Sequence, residues 1–339
     1  MSNKTVLIIG IVLIAGFVGL QALSNNPQVS EEKISVIRIG STAPGHLKFI
    51  LFQEKGWMDE EFAKDGIKVE YYPFTGGGAE ALMALSSGSL DISYNGADPG
   101  LRTAAAGADI KLIGISSFGN PASGASSIIV RNDSKITSVK DLKGKKVAYL
   151  KGTMRHATII KALEIEGMSI NDIESFNLNF QASGPALLKG DIDALVEGET
   201  TIFELVSKGA ARTLWSGKDH PEISSPASGI NVRGDFARKH PDIVKRLLKI
   251  DLKTARWADE NPDETIKIFS KATKKDEKNV REVSYPENKF YQDPQITDKA
   301  LQSLKDEEQF MKANGLIEGK VDFNLWVDRS FIDSVLKEK

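Results

Sequence analysis

The sequence predicts an α/β protein of two doubly wound lobes, with C-terminal helices packed back on the first lobe. Short strand patterns alternate with helix patterns of about ten residues between residues 35 and 196, which is typical of right-handed βαβ units and a parallel sheet. The alternation falls into two series that share landmarks. After Arg233 the patterns become almost purely helical.

The N-terminus has the pattern of an export signal over residues 1–24. Lys4 precedes an apolar run from Val6 to Leu20, and small residues occupy the −3 and −1 positions of a cut after Ser24. The run of about 15 residues is shorter than the roughly 20 that span a bilayer. The segment is either a cleaved signal peptide or an uncleaved N-terminal anchor. Both readings place the rest of the chain outside the cytoplasmic membrane, in the periplasm or another extracytoplasmic space.

The first series of elements follows directly. Strand patterns lie at residues 35–40, 67–72, 90–94 and 110–115, and helix patterns run through Trp57 and Phe62 and from Ala79 to Ser87.

The second series has strand patterns at residues 127–131, 146–150, 176–180 and 192–196, and helix patterns at 158–166 and 185–189. Gly88-Ser-Leu-Asp91 in the first series matches Gly190-Asp-Ile-Asp193 in the second, at an offset of 102 (190 − 88). This match favours duplicated lobes, although Gly and Asp are also common in any helix-to-strand turn.

The remaining helix patterns begin at Pro241 and at Asn261-Pro262 and cover residues 296–313 and 326–336. No linker separates them from the preceding lobes, so they are expected to pack on the first lobe.

Composition excludes several classes of function. The chain has 339 residues, enough for two domains, and a net charge of −2, which gives a nucleic-acid partner no electrostatic support. It has no cysteine, which rules out disulfides, thiolate metal sites, cysteine nucleophiles and a lipidated N-terminal cysteine. The four histidines form no His-Glu-x-x-His motif, and there is no Gly-x-Ser-x-Gly. We therefore expect no enzyme activity, no metal and no cofactor.

Ligands of open α/β sheets bind at the carboxyl ends of strands, next to helix N-termini. Hydroxyl groups, glycines, amides and charged side chains stand at several such junctions. The candidate ligand-binding residues are Thr42, His46, Gly76, Gly77, Gly78, Asn95, Gly96, Asp98, Thr153, Met154, Arg155, His156, Glu199, Ser228 and Gly229.

Three of these junctions have alternative interpretations. Asp98 either faces a ligand or caps a helix that has Pro99 as its first residue. The segment Thr153–His156 combines a hydroxyl, a guanidinium and an imidazole at a helix start and favours an anion, unless it is simply solvated. Glu197 and Glu199 either begin the next helix or bind a cationic part of a zwitterionic ligand.

Several stretches resemble one family of type II periplasmic binding proteins. They include Ile136-Thr-Ser-Val-Lys-Asp-Leu-Lys-Gly-Lys-Lys-Val-Ala148 with Lys151-Gly-Thr153 and His156, Leu85-Ser-Ser-Gly-Ser-Leu-Asp91, Gly190-Asp-Ile-Asp-Ala194, Phe236-Ala-Arg-Lys-His-Pro-Asp-Ile-Val244, Ala255-Arg-Trp-Ala-Asp-Glu-Asn-Pro262 and Gly315-Leu-Ile317. The chain resembles the family that binds sulfonates, taurine, nitrate and thiamine-pyrimidine precursors. Sulfonate-binding members often have tryptophan in and after the strand that starts at Asp193. This chain has Leu195, Gly198, Glu199 and Thr200 there, so the ligand's head group stays open.

The resemblance implies the substrate-binding component of an ABC importer, a monomer that captures a small, anionic solute by lobe closure and docks on a membrane permease. It also implies lobe 1 at residues 34–124 and 233–339, lobe 2 at 125–232, and hinge strands near 125–130 and 227–232. The alternatives are a pyrimidine-precursor-binding protein or pyrimidine-synthesis enzyme on the same scaffold, and a membrane-anchored sensory module.

Overall fold

The computed structural model describes residues 34–42, 46–120, 126–220 and 226–338. The predicted signal or anchor lies outside these residues. Two five-stranded sheets form the framework. The first contains β1 (Val36–Ser41), β2 (Lys68–Pro73), β3 (Ile92–Asn95), β4 (Ile110–Ser117) and β10 (Ser228–Arg233), and the second contains β5 (Ser127–Arg131), β6 (Lys146–Tyr149), β7 (Glu174–Asn177), β8 (Ala194–Glu197) and β9 (Ala211–Ser216).

The two sheets repeat one topology, which confirms the predicted fold class of two doubly wound lobes. Their strand orders are β2-β1-β3-β10-β4 and β7-β6-β8-β5-β9. In each sheet four strands run in the same direction, and the fourth strand in the order is antiparallel to both of its neighbours. The predicted parallel sheet is therefore confirmed for four strands of each sheet and corrected for the fifth, which is antiparallel. The antiparallel strands β5 and β10 are those that follow the chain's passage between the sheets. β10, interpreted as a hinge strand closing lobe 2, pairs with β3 and β4 of the first sheet.

Within the described ranges, seven α-helices lie between the strands: α1 (Leu47–Lys55), α2 (Trp57–Ala63), α3 (Gly78–Ser86), α4 (Ala97–Ala105), α5 (Met154–Ile165), α6 (Phe180–Lys189) and α7 (Glu199–Ser207). Two boundaries differ from the sequence prediction. α5 begins four residues earlier than expected because the Thr153 side chain accepts a hydrogen bond from the Arg155 amide, 3.3 Å away. The strand expected at 176–180 ends at Asn177, since Asn179 caps α6.

The repeated Gly-x-x-Asp turns have the same structural role in both lobes. Gly88 and Gly190 adopt φ values of 82° and 84°, a conformation that favours glycine. Three residues later, Asp91 accepts a hydrogen bond from the Arg38 amide within β1, and Asp193 accepts one from the Lys146 amide at the start of β6, both at 2.9 Å. Each carboxylate thus joins its own turn to the neighbouring strand, which explains why the sequence landmark appears twice.

The C-terminal helices complete the first lobe, as expected. They are α8 (Gly234–Lys239), α9 (Pro241–Glu260), α10 (Pro262–Thr273), α11 (Glu277–Asn279), α12 (Asp298–Ala313), α13 (Phe323–Trp326) and α14 (Ser330–Lys337). Side chains of α9, including Val244 and Leu248, share one buried core with Ile37 and Ile39 of β1. Burial of this apolar surface stabilises the first lobe. None of the helices in the described ranges has both the length and the apolar character needed to cross a bilayer.

Candidate functional site

A cleft of about 190 Å³ lies where the two lobes meet, and residues of both lobes line it. Most of the predicted ligand residues are brought together here. They are Thr42, Gly77, Gly78, Gly96, Asp98, Thr153, Met154, Arg155 and Ser228, joined by Ala97, Pro99 and Pro226. The volume is below the roughly 300–1,000 Å³ of sites for drug-sized ligands. The cleft therefore suits a small solute.

Three helix N-termini converge on the cleft. α3 begins at Gly78 and α4 at Ala97 on the first lobe, and α5 begins at Met154 on the second. The first N–H groups of a helix have no intrahelical acceptor, and the helix dipole adds partial positive charge there. The N-caps of α3 and α4 are glycines, Gly77 and Gly96, which supply no side-chain acceptor. These helix ends are suited to an anion shared between the lobes.

Glycines allow the lobes to approach closely. Gly77 has φ 90°, and a Cβ atom there would lie 3.3 Å from Leu150 Cδ2 of the second lobe. A Cβ atom on Gly78 would lie 2.1 Å from Pro99 Cγ, so the starts of α3 and α4 can touch only without one. The absence of side chains at these two positions thus determines the shape of the cleft.

We expect Gly77→Ala to weaken binding of a small ligand, because the new methyl group faces Leu150 and hinders closure of the lobes. A residue with a side chain at this φ is also strained, at about 1–3 kcal/mol of folding free energy. Calorimetric titration and urea unfolding measure the two effects separately.

Gly107→Ala is the control for that substitution, since Gly107 has φ 77° but nothing within 4 Å of the added Cβ. It should lower stability and keep ligand affinity. Equal affinity losses in both variants would mean that strain alone, not the lobe contact, explains the effect.

Arg155 is the positively charged residue among the predicted ligand residues, and it lines the cleft. Its side chain is only 18% exposed. Its Nε donates to Glu197 Oε2 at 2.7 Å, and Glu197 is 1% exposed. Glu197 also accepts hydrogen bonds from Ser183 Oγ at 3.2 Å and the Gly198 amide at 3.1 Å. Glu197 therefore orients the guanidinium and offsets part of its charge.

Asp98 does not cap a helix, so that alternative is wrong. α4 starts at Ala97 with Gly96 as its N-cap, which places Asp98 within the first turn. Asp98 is one of the residues around the cleft and is 2% exposed; its Oδ2 is buried and has no hydrogen-bond partner among the described residues.

Two predicted histidines have structural surroundings instead of lining the cleft. His46 packs against Phe49 and Tyr94, and burial, with the charge of Lys48 adding to it, lowers its pKa to about 3. His156 stacks on Tyr149 and accepts a 3.4 Å hydrogen bond from the Gly152 amide. Burial, with the Arg102 and Lys151 charges adding to it, lowers the His156 pKa to about 4. Both imidazoles are neutral at pH 7 and add no positive charge.

The other predicted residues also lie off the lining. Asn95 is buried and hydrogen-bonded to Asn231 at 3.0 Å, and Gly229 lies in β10 against Leu112. The Gly76 amide donates to Glu80 Oε2 at 3.0 Å. The side chain of Glu199 lies outside what the structure describes.

A buried charge network joins the lobes beside the cleft. Lys161 of α5 donates to Glu307 Oε2 of α12 at 3.1 Å, and the Lys161 ammonium also lies over the Phe310 ring at 4.2 Å. Glu307 is 3% exposed, and its Oε1 has no hydrogen-bond partner among the described residues. Because one partner comes from each lobe, separating the lobes would break this ion pair.

Across the described ranges, no group of three or more His, Asp or Glu side chains is placed to hold a metal ion.

Comparison with known proteins agrees with the fold. A family model described as NMT1/THI5 like matches residues 43–265. The chain belongs to this family.

Three similar proteins show how far the likeness extends. A protein of Bacillus subtilis (strain 168) named as an aliphatic sulfonates-binding protein is 33% identical over 98% of this chain and 96% of its own length. The taurine-binding periplasmic protein of Escherichia coli (strain K12) is 26% identical over 81% of this chain and 87% of its own. The alkanesulfonate-binding protein SsuA from Xanthomonas axonopodis pv. citri, bound to MOPS, aligns with a TM-score of 0.74 at 21% identity, over 88% of this chain and 99% of that one.

Sequence reasoning missed three lining residues of this NMT1/THI5-like protein: Ala97, Pro99 and Pro226. Ala97 and Pro99 flank Asp98, so the Asn-Gly-Ala-Asp-Pro junction already contained the signal. Pro226 lies just before β10. The sequence feature that could have identified it as a lining residue is its position close to Ser228.

Proposed function

We propose that this protein is the extracytoplasmic solute-binding component of an ABC importer and captures a small organic anion of the sulfonate class. The observation that carries the proposal is the convergence of three helix N-termini and Arg155 on one cleft between two lobes. The N-termini of helices from both lobes carry partial positive charge and point to the same cleft. A single anion there can therefore interact with the N-termini of both lobes. The names of the relatives that bind sulfonates and taurine support the same ligand class.

Export, partner and oligomeric state belong to the same proposal. The apolar run 6–20 with its cleavage pattern supports export by a signal that is cleaved or retained as an anchor. A permease in the membrane is the expected partner, and the protein acts as a monomer that releases its ligand unchanged, without catalysis.

Capture occurs by lobe closure. We assign residues 34–124 and 233–339 to lobe 1 and 125–232 to lobe 2, with hinge strands at both ends of lobe 2; the second of these strands, β10, pairs with β3 and β4 of the first sheet. A ligand that touches α3 and α4 on one lobe and α5 on the other stabilises the closed state by its differential affinity for it. Leu150 lies so close to Gly77 that a Cβ atom added there would be 3.3 Å from Leu150 Cδ2, and this approach supports a closed arrangement, as does the ion pair between Lys161 and Glu307.

Ligand contacts are assigned to the cleft residues. Arg155 and the amides that follow Thr153 hold the anionic group from lobe 2. The amides after Gly77 and Gly96 approach it from lobe 1, and the hydroxyl groups of Thr42 and Ser228 complete the polar lining.

A thermal-shift screen tests the proposal, because a ligand that binds only the folded state stabilises it by about 2.7 kcal/mol at 100 times Kd. We expect ethanesulfonate or taurine to raise Tm, with calorimetry giving the affinity. Diethyl sulfone, which has the same kind of sulfur centre without charge, is the matched control. Equal stabilisation by the sulfone, or no response to any sulfonate or nitrate, would contradict anion capture, and turnover of a bound ligand would contradict the non-enzyme assignment.

A further inference from the structure

Three buried side chains that can form hydrogen bonds lie behind the start of α4. Asn95 is the last residue of β3, Asn231 lies in the neighbouring strand β10, and Trp326 ends α13. Their exposed fractions are 1%, 0% and 4%. None of the three is among the described residues that line the cleft. Any effect that they have on ligand binding must therefore act through the backbone of α4.

The three side chains form one chain of hydrogen bonds that ends on the backbone of the cleft. Trp326 Nε1 donates to Asn231 Oδ1 at 2.9 Å. Asn231 Nδ2 donates to Asn95 Oδ1 at 3.0 Å, and Asn95 Nδ2 donates to the Gly96 carbonyl at 2.9 Å. Gly96 lines the cleft and is the N-cap of α4. Trp326, Asn231 and Asn95 thus form an amide relay that connects α13 to the N-terminus of α4.

The two ends of the amide relay fix the direction of its hydrogen bonds. An indole N–H can only donate, so Asn231 must turn its oxygen to Trp326 and its nitrogen to Asn95. A backbone carbonyl can only accept, so Asn95 must turn its nitrogen to Gly96 and its oxygen to Asn231. The two requirements agree with each other. A buried polar network whose groups are paired in this way is rigid.

This direction determines which way the first peptide of α4 faces. A peptide unit is planar and trans, so the Ala97 N–H points away from the Gly96 carbonyl. The amide relay holds that carbonyl on the buried side, which turns the N–H towards the cleft that Gly96 and Ala97 line. Because hydrogen bonds in a chain polarise one another, the bond to the carbonyl also strengthens the N–H of the same peptide as a donor.

Packing reinforces this placement, since α4 lies directly on the amide relay. A Cβ atom on Gly100, one turn into α4, would lie 3.2 Å from Asn95 Nδ2 and 3.3 Å from Trp326 Cζ2. Both distances are shorter than ordinary van der Waals contact. The absence of a side chain at Gly100 therefore lets the helix lie this close to the amide relay.

We propose that Trp326, Asn231 and Asn95 are positioning residues, which orient the Gly96–Ala97 peptide so that its N–H binds the ligand's anionic group. This inference rests on the proposed capture of an anion in the cleft. The three side chains act on the ligand through the backbone and do not contact it. The end of α13 is then a determinant of affinity, although it lies outside the cleft.

Trp326→Phe tests the inference, because it removes the indole donor and keeps an aromatic ring. The orientation of Asn231 is then no longer fixed by a donor. We expect the Kd for ethanesulfonate to rise about three- to tenfold, which is the effect of one net hydrogen bond. Calorimetry with the full folded protein measures this change. Trp57→Phe is the matched control and should keep the Kd, since Trp57 packs on Trp257 and Lys253 and does not line the cleft among the described residues.

Amide chemical shifts separate positioning from a general structural effect. At saturating ethanesulfonate, the ligand-induced proton shift at each helix N-terminus reports the hydrogen bond made there, whatever the affinity. Trp326→Phe should reduce this shift at Gly96 and Ala97 and leave it unchanged at Gly78 and Met154, where α3 and α5 begin.

Asn231→Leu provides a second variant, because it removes the middle of the amide relay. It should raise the Kd at least as much as Trp326→Phe and reduce the shift at Ala97 further. Circular dichroism and melting curves verify that each variant is folded.

The possible failures are distinguishable. If both folded variants keep the wild-type Kd and the Ala97 shift, anion capture stands and the positioning role is wrong. Equal loss of shift at all three helix N-termini would show a general structural effect, which also overturns the inference. If neither ethanesulfonate nor taurine binds to the wild type, the proposed anion capture fails. Hydrogen exchange of the Asn95 side-chain amide in the ligand-free protein then tests the amide relay itself: it should be faster in Trp326→Phe, and an unchanged rate would show that the relay does not hold Asn95 in place.

Discussion

Replacing Arg155 by alanine is expected to weaken ethanesulfonate binding by about 1.5–3 kcal/mol, roughly 10- to 150-fold in Kd. Arg155 is the charged donor that lines the cleft from lobe 2, and a charge-assisted hydrogen bond has about this value. Isothermal titration calorimetry measures the change directly. Unchanged affinity in a folded Arg155→Ala variant would remove Arg155 from the ligand site.

The pairing with Glu197 requires a control for that substitution. Arg155→Ala leaves Glu197 buried without its cation, and breaking a buried pair costs up to about 3–5 kcal/mol of stability. The double variant Arg155→Ala with Glu197→Gln removes the unpaired charge. It should regain stability while ethanesulfonate affinity stays low. Glu197→Gln alone should tighten binding, because the anion then meets a guanidinium with less of its charge offset.

The sequence predicts those parts of the fold that local chemistry determines. The Gly-x-x-Asp turns are an example. The glycine adopts a left-handed conformation within the turn, and the aspartate carboxylate accepts a hydrogen bond from a backbone amide of the adjacent strand. The start of α9 at Pro241 is another, since proline at the first helical position is favoured by its own fixed φ. Such features recur in any context and can be identified without knowing the tertiary structure.

Features that depend on distant segments could not be predicted in this way. β9 (Ala211–Ser216) was missed because its apolar residues alternate only weakly, and its position as the sheet edge beside β5 depends on a chain crossing. The antiparallel direction of β5 and β10 has the same origin. His156 was grouped with Arg155 by sequence proximity, whereas the fold stacks its ring on Tyr149.

The interpretation of Glu197 also depended on tertiary structure. From the sequence alone, the negative charges of Glu197 and Glu199 beside the candidate site argued against an anionic ligand. In the structure Glu197 is the buried partner of Arg155, so it defines the direction of the guanidinium. Gly198 leaves space for the Arg155 guanidinium, since a Cβ atom at position 198 would lie 3.2 Å from Arg155 Nη2. A large residue such as tryptophan at position 198 would crowd this arginine, which gives a physical reason for the departure from the family pattern.

Replacing Lys48 by methionine is expected to lower the free energy of unfolding by about 3–5 kcal/mol, since it breaks a fully buried ion pair. Lys48 Nζ donates to Asp251 Oδ1 at 2.7 Å and to the Gln292 carbonyl at 2.6 Å, and Tyr94 donates to Asp251 Oδ2 at 2.6 Å. Without Lys48, the Tyr94 phenol is the one side chain among the described residues that still bonds to Asp251. Urea unfolding measures the loss, and Lys249→Met, which removes an exposed pair with Glu338, should change stability by no more than about 1 kcal/mol.

The sign of the pH dependence gives this prediction a second test. Burial raises the pKa of Asp251 above its usual range, and Lys48 opposes that rise. A carboxyl whose folded pKa is raised binds more protons in the folded state, so it lowers stability as pH rises through the interval between its unfolded and folded pKa values. Lys48→Met widens the interval between the unfolded and folded pKa values of Asp251. The variant should therefore lose more stability at pH 8 than at pH 5. Asp251→Asn still accepts a hydrogen bond from Tyr94 but carries no charge. Adding it to Lys48→Met should make the loss of stability the same at pH 5 and pH 8. If Lys48→Met alone already destabilises equally at both pH values, then lost packing, and not the unpaired carboxylate, is responsible.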